Sequence, residues 1–282
     1  MILVFGKNGQ LAHALENAGQ VRCLSRDEVD LCDPGAADAA IRRFAPRAVI
    51  NAAAYTQVDL AEAEEDAALR LNAAAPAEMA RVCADFGIPF VTVSTDYVFD
   101  GSGDTPRSPS DACAPLNAYG RSKRAGEEAV AAAGGAWAVL RTSWVFSAHG
   151  ANFLRTMLRL GAEQGRIRVV DDQIGGPTPA EALATACLTI AQALADDPDK
   201  SGIYHFAGAP DTSWAGFATE IFNRAGLDCT VERVYSDAFP HPAVRPHNSR
   251  LDCRETETVF GLRRPDWRAA IDTILCELEG ER

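Results

Sequence analysis

Residues 1–12 read Met1-Ile2-Leu3-Val4-Phe5-Gly6-Lys7-Asn8-Gly9-Gln10-Leu11-Ala12, an apolar run broken by two glycines and then by helix-forming residues. Four consecutive apolar residues ahead of Gly6 are what a strand buried on both faces requires. Gly6 permits a tight turn, and Gly9 lets backbone N–H groups at a helix start approach a pyrophosphate. Ala12 takes the third place of a G-x-x-G-x-x-A spacing, where a small side chain lets helix and strand pack closely. An ordinary strand-to-helix turn would look similar in isolation. This one opens a repeating βαβ pattern at residue 6, which favours a dinucleotide-binding loop.

The pattern extends outward from there. Further β-rich runs lie at 20–24, 48–51, 90–94 and 138–142, with helical stretches at 10–17, 36–44, 66–86 and 117–133 between them. Pro34, Pro46, Gly87, Pro89 and Gly134-Gly135 punctuate the units. Such alternation predicts an α/β fold with a Rossmann-like doubly wound parallel sheet, whose ligands sit beyond the carboxyl ends of the strands. Residues 1–150 are expected to form the dinucleotide-binding domain. After about residue 150 the rhythm changes: a loop at 171–179, a helix to about Ala195, short strands at 203–206 and 230–234, and a terminal helix near 267–278. Residues 151–282 are therefore expected to form a smaller, mainly substrate-binding lobe. No clean linker separates the two parts, which allows the lobe to be woven into the first sheet.

The 282 residues are 47% apolar and 23% charged, as in ordinary globular proteins. No apolar run approaches the ~20 residues of a membrane span, and the N-terminus has no basic leader. Eight cysteines form no C-x-x-C pair, so reduced thiols are expected rather than disulfides or a zinc site. A formal charge of −12 argues against nucleic-acid or anionic-membrane partners. These features together predict a cytoplasmic protein with a small-molecule ligand.

The chemistry is expected from Ser94-Thr95-Asp96-Tyr97 and Tyr119-Gly120-Arg121-Ser122-Lys123. A phenol and an ammonium four residues apart share one face of a helix, and Thr95 lies just past a strand end. Hydride from a nicotinamide would leave negative charge on a carbonyl oxygen. Tyr119 could deliver the proton, with Lys123 lowering the phenol's pKa and holding the nicotinamide ribose, and Thr95 orienting the group. At the end of the second strand, Ser25 and Arg26 replace the usual acidic residue. A hydroxyl and a cation there suit the 2′-phosphate of NADPH, although Asp27 and Glu28 weaken the local field and leave NADH usable as well. The run Asp59 to Asp66 reads as a solvated acidic helix start.

These motifs, with Asn51-Ala52-Ala53-Ala54-Tyr55-Thr56 and Ser94–Phe99, resemble the extended short-chain dehydrogenase/reductases. More narrowly, Arg141-Thr142-Ser143-Trp144-Val145, Asp172–Thr178 and Arg245-Pro246-His247-Asn248-Ser249-Arg250-Leu251 make the chain resemble the dTDP-4-dehydrorhamnose reductase family over nearly its whole length. The resemblance implies NADPH-dependent reduction of the C4 ketone of dTDP-4-dehydro-β-L-rhamnose, giving dTDP-β-L-rhamnose as a cell-surface polysaccharide precursor. It puts Gly9, Gln10, Leu11, Asp30, Leu31, Ala54, Tyr55, Thr56 and Val93 at cofactor positions beside Gly6. It puts Thr95, Asp96, Tyr119, Lys123 and Trp144 at catalytic or substrate positions. Arg245 and Arg250 could meet the substrate's diphosphate or serve surface ion pairs.

The chain departs from the family in two respects: Ala12 replaces the usual third glycine, and a metal-ligand position differs. Some members bind Mg²⁺ through glutamates at a dimer contact. Here Ala14 stands at one such position and Glu181 at another, which weakens the case for metal and leaves monomer or homodimer open. Two competing functions share the fold: a nucleotide-sugar epimerase or dehydratase that retains NAD, and a noncatalytic regulatory subunit. Intact Thr95, Tyr119 and Lys123 argue against the latter.

Overall fold

The computed structural model describes residues 1–19 and 21–280. Gln20, expected to begin the second strand, lies outside them, as do the last two residues of the expected lobe. Six strands form one all-parallel sheet: β1 (Ile2–Phe5), β2 (Val21–Leu24), β3 (Ala48–Asn51), β4 (Phe90–Thr95), β5 (Trp137–Thr142) and β6 (Gly202–His205). Their spatial order is β2-β1-β3-β4-β5-β6. The winding therefore reverses between β1 and β3. The carboxyl ends of these two strands carry Gly6 and Ala52–Ala54, so the switch-point crevice is where the glycine loop opens.

Helices cover both faces. On one side α1 (Gln10–Ala18) and the later helix Ala180–Asp196 bury Leu15, Leu183, Cys187 and Ile190 against Val4, Ile50 and Leu140. On the other, α2 (Ala36–Phe44) and α3 (Ala75–Phe86) bury Ile41, Met79 and Val82 against Leu3, Val49 and Val139. Each large aliphatic side chain sealed this way contributes about 1.5–3 kcal/mol. Residues beyond 150 thus divide. The Ala180–Asp196 helix and β6 belong to the first sheet. The helices Phe153–Glu163, Trp214–Ala225 and Trp267–Gly280 build a separate core on Phe146, Phe217, Phe222 and Trp267.

Three local differences from the sequence expectation bear on the site. The helix expected at 66–86 is α-helical at Glu65–Leu69, passes through one π turn at Arg70–Ala74, and resumes at Ala75. The helix carrying Tyr119 and Lys123, α4 (Ala118–Ala133), packs so closely on that π turn that a Cβ on Gly126 would collide with the Asn72 carbonyl oxygen. The loop at 171–179 contains two short strands, Ile174–Gly175 and Thr178–Pro179. Among the described residues no helix is long and apolar enough to cross a membrane. All eight cysteines are free, and four of them (Cys23, Cys83, Cys187 and Cys253) are buried.

Candidate active site

Gly6 adopts φ +108°, and a Cβ there would lie 3.1 Å from the Ala53 backbone nitrogen, so only glycine lets the loop sit against the end of β3. Gly9 caps α1 with no side-chain hydrogen bond, and the first turn holds no acidic residue. The N–H groups and positive end of the helix dipole are left for an anion. From this loop a cleft of about 520 Å³ runs along the strand ends, lined by Gly9, Gln10, Leu11, Ala54, Thr56, Val93, Thr95, Asp96, Tyr119, Lys123 and Trp144. A second recess of about 240 Å³ on the other side of the loop is lined by Gly6, Gly9, Arg26, Asp30, Leu31 and Ala54. The two spaces share Gly9, Asn8 and Ala52–Ala54 in their lining and so flank the glycine loop.

Four expected cofactor residues already have side-chain partners within the protein. Ser25 does not line the recess; its N–H donates to Glu28 Oε2 (2.9 Å) and its hydroxyl accepts from the Glu28 N–H, closing a turn. Tyr55 lines neither space. Its backbone N–H and C=O are both held by the Asn72 side chain (2.8 and 3.0 Å), and its hydroxyl donates to Glu64 (2.8 Å). Gln10 lines the main cleft, but its amide is occupied by Val145 O, Ser147 Oγ and Asn152 Nδ2, tying α1 to the later lobe. Arg26 faces the recess with its guanidinium 3.1 Å from Asp30 Oδ2, so the cation intended for a 2′-phosphate already has a carboxylate beside it.

Tyr119, Lys123, Thr95 and Asp96 converge as expected and are buried or nearly so. Asn72 draws the framework together: it bonds Ser122 Oγ (2.9 Å), which donates to the Tyr119 carbonyl (2.8 Å). The electrostatics depart from the expectation. Lys123 Nζ donates to the Val93 carbonyl at 2.6 Å. Burial pushes the Tyr119 phenol up to about 12, opposed by a bond to Thr95 and reinforced by Asp96. The Lys123 ammonium points to the strand end and is not among the groups that shift the phenol. Burial also lowers Lys123 to about 8, with Glu127 one turn on opposing the shift, and raises Asp96 to about 6. Asp96 Oδ2 is buried without a partner in the cleft, while Oδ1 accepts from the Thr95 hydroxyl at 3.1 Å. A ligand hydroxyl is the group that would satisfy it.

These ionisations give a pH prediction. The Lys123 ammonium is present below about 8 and is lost as pH rises through that value. The Asp96 carboxylate is present above about 6 and is lost as pH falls through it. We expect kcat/KM to be maximal between these values, with one limb on each side. A pH–rate profile whose alkaline limb falls near 10 would show that Lys123 keeps its ordinary affinity for the proton.

Trp144 lies in the cleft in a left-handed backbone conformation (φ +51°), its indole stacked 3.7 Å from Trp214. Nothing in the local sequence around Trp214 paired it with Trp144; only the packing of the Trp214–Ala225 helix does so. Arg245 makes a two-pronged ion pair with Asp59 (2.9 and 2.7 Å), so its charge is already matched, whereas Arg250 bonds the Asn248 amide oxygen. The acidic run is not simply solvated. Asp59 holds Arg245, Glu62 accepts from the Ala118 N–H at the start of α4, and Glu65 pairs with Arg121. Glu181, at the start of the Ala180–Asp196 helix, is raised by burial near Glu277, His149 and His13. Among the described residues no group of three or more His, Cys, Asp or Glu side chains is arranged to hold a metal ion.

A switch-point dinucleotide cleft ending in a buried Tyr-x-x-x-Lys pair defines a nicotinamide-dependent reductase of the short-chain dehydrogenase/reductase type. The family model described as RmlD substrate binding domain matches residues 1–279. The dTDP-4-dehydrorhamnose reductase of Burkholderia thailandensis is 42% identical, with 98% of each chain covered. That of Shigella flexneri is 38% identical over 98% of this chain and 97% of its own. Among solved structures, a dTDP-4-dehydrorhamnose reductase from Bacillus anthracis, in complex with NADP, superposes with a TM-score of 0.90 at 31% identity and 98% coverage of both chains. This chain belongs to the dTDP-4-dehydrorhamnose reductase family.

Proposed function

We propose that this protein reduces the C4 ketone of dTDP-4-dehydro-β-L-rhamnose to dTDP-β-L-rhamnose with NADPH. The observation that carries the reading is the buried Thr95–Asp96–Tyr119–Lys123 group at the end of a dinucleotide cleft, in a chain that matches the family from end to end. The cofactor fits the residues present: uncapped N–H groups at Gly9, a loop that only Gly6 can fold, and a recess beside Arg26. When bound, it supplies the hydride to the carbonyl carbon.

The remaining work falls to the chain. Tyr119 stays protonated throughout the neutral range and donates to the developing alkoxide. Thr95 holds the phenol by a hydrogen bond, and Asp96 Oδ2 accepts a hydroxyl of the sugar. Lys123, free to leave the Val93 carbonyl, binds the nicotinamide ribose. Trp144 presents its face to the deoxysugar, and the lobe beyond residue 150 holds the nucleotide. Cytoplasmic location and a dTDP-sugar as the ligand belong to the same reading.

The test is oxidation of NADPH by the purified protein with dTDP-4-dehydrorhamnose generated in situ. Turnover with product formation is expected, with kcat/KM for NADPH at or above that for NADH. Tightly retained NAD with no net NADPH consumption would instead support an epimerase. A tenfold preference for NADH would overturn the role given to Arg26.

A further inference from the structure

Beside the main cleft, and sharing Tyr97 and Trp214 with it, lies a second cleft of about 260 Å³. One wall is apolar (Phe153 and Met157), and Arg168, His241 and Arg245 lie at its edge, the two arginines already paired with Glu232 and Asp59. With the sugar at Trp144, the substrate's nucleotide end must leave the cofactor in this direction. Residues 235–247 form a strap over this cleft and contribute Phe239, His241 and Arg245 to its lining.

The strap is tied at both ends. Asp172 accepts from the Ser236 N–H (3.1 Å) and hydroxyl (2.7 Å). Asp59 grips Arg245 and accepts from the Ala243 N–H (3.2 Å). Between those last two contacts sits a third. Asn117, 1% exposed, donates through Nδ2 to the Val244 carbonyl at 2.8 Å. Its other side-chain atom, Oδ1, accepts from the Gly120 N–H at 2.8 Å and caps α4 two residues before Tyr119. One buried amide therefore uses its acceptor for the catalytic helix and its donor for the strap.

We infer that Asn117 is a positioning residue that couples the strap over the nucleotide end of the substrate to the helix carrying the proton donor. The inference rests on the proposed function for the identity of the nucleotide, but the coupling stands on the two hydrogen bonds. The two functions of the amide can be separated. Asn117→Asp keeps an oxygen acceptor, and aspartate caps helices as well as asparagine. It loses the donor and sets a carboxylate against the Val244 carbonyl. Asn117→Ala loses both.

In steady-state kinetics, Asn117→Asp should raise KM for the sugar nucleotide about tenfold, as expected for one lost buried hydrogen bond, and leave kcat and the Kd for NADPH within about twofold. Asn117→Ala should lower kcat as well. Amide hydrogen exchange across residues 236–244 should be faster in Asn117→Asp than in the wild type, a readout that needs no substrate. Wild-type KM in Asn117→Asp, equal losses in sugar-nucleotide and NADPH binding, or unchanged exchange in the strap would overturn the inference. A wild-type protein that fails to reduce the sugar nucleotide, with the difference in exchange between it and Asn117→Asp still present, would overturn the proposed substrate and leave the coupling in place.

Discussion

Tyr119→Phe should bind NADPH as the wild type does and lose kcat by a factor of about 10²–10⁴, the range for removal of a positioned general acid. The ring is buried and meets Tyr97 edge-on at 5.6 Å, a contact that phenylalanine keeps. Only the hydroxyl is lost. Because burial holds the phenol up at about 12, it is in the acid form at every working pH. Fluorescence titration with NADPH and the rate of its oxidation separate the two effects. A kcat within threefold of wild type would remove Tyr119 from the mechanism.

Arg141→Leu should carry the largest loss of stability. Arg141 and Glu127 are 1% and 2% exposed and joined by two bonds, Nε to Oε1 at 2.9 Å and Nη2 to Oε2 at 2.7 Å. The guanidinium also reaches the Pro109 carbonyl and lies over the Phe99 ring. Leucine would leave the buried Glu127 carboxylate with only the longer 3.3 Å contact of Arg124. Breaking one side of a buried pair costs about 3–5 kcal/mol, which corresponds to a drop in Tm on the order of 10 °C for a chain of this size. Arg141→Leu combined with Glu127→Leu should recover much of that, since it removes the unpaired charge. Thermal unfolding of the two variants checks both statements, and a single-variant loss below 1 kcal/mol would contradict them. Glu127 also sits one turn from Lys123 and favours its charged form, so the pair braces the catalytic helix against β5.

The features legible in the sequence are those that local chemistry dictates. Continuous apolar runs make buried parallel strands, so β1, β3, β4 and β5 fall where the sequence puts them to within a residue. Gly6 marks the turn because its backbone (φ +108°) and the close approach of Ala53 exclude a side chain there. Tyr119 and Lys123 face one way because a helix repeats every 3.6 residues. The late motifs pointed to one family because they recur together over the whole chain.

What the sequence left undecided depends on which segments meet. Reading Asp59–Asp66 as a solvated helix start was reasonable locally; its partners Arg245, Ala118 and Arg121 come from distant parts of the chain. The π turn at Arg70–Ala74 comes just before Pro76, which has no N–H to bond the Asn72 carbonyl, a local signal inside the stretch expected to be one helix; the turn also accompanies the contacts of Asn72 with Tyr55 and Ser122. The shift in the Tyr119 phenol has the opposite sign to the one expected from Lys123, because depth of burial, a tertiary quantity, sets it, and the Lys123 ammonium is turned to Val93. By itself, then, the sequence determined the fold class, the glycine turn and the shared helix face of Tyr119 and Lys123, all set by residue type and spacing along one segment. Only the tertiary structure decided the direction of winding at β1 and β3, the stacking of Trp144 on Trp214, and the double use of Asn117. Each of these rests on groups far apart in the chain, whose meeting is governed by the packing of the whole core rather than by any local preference.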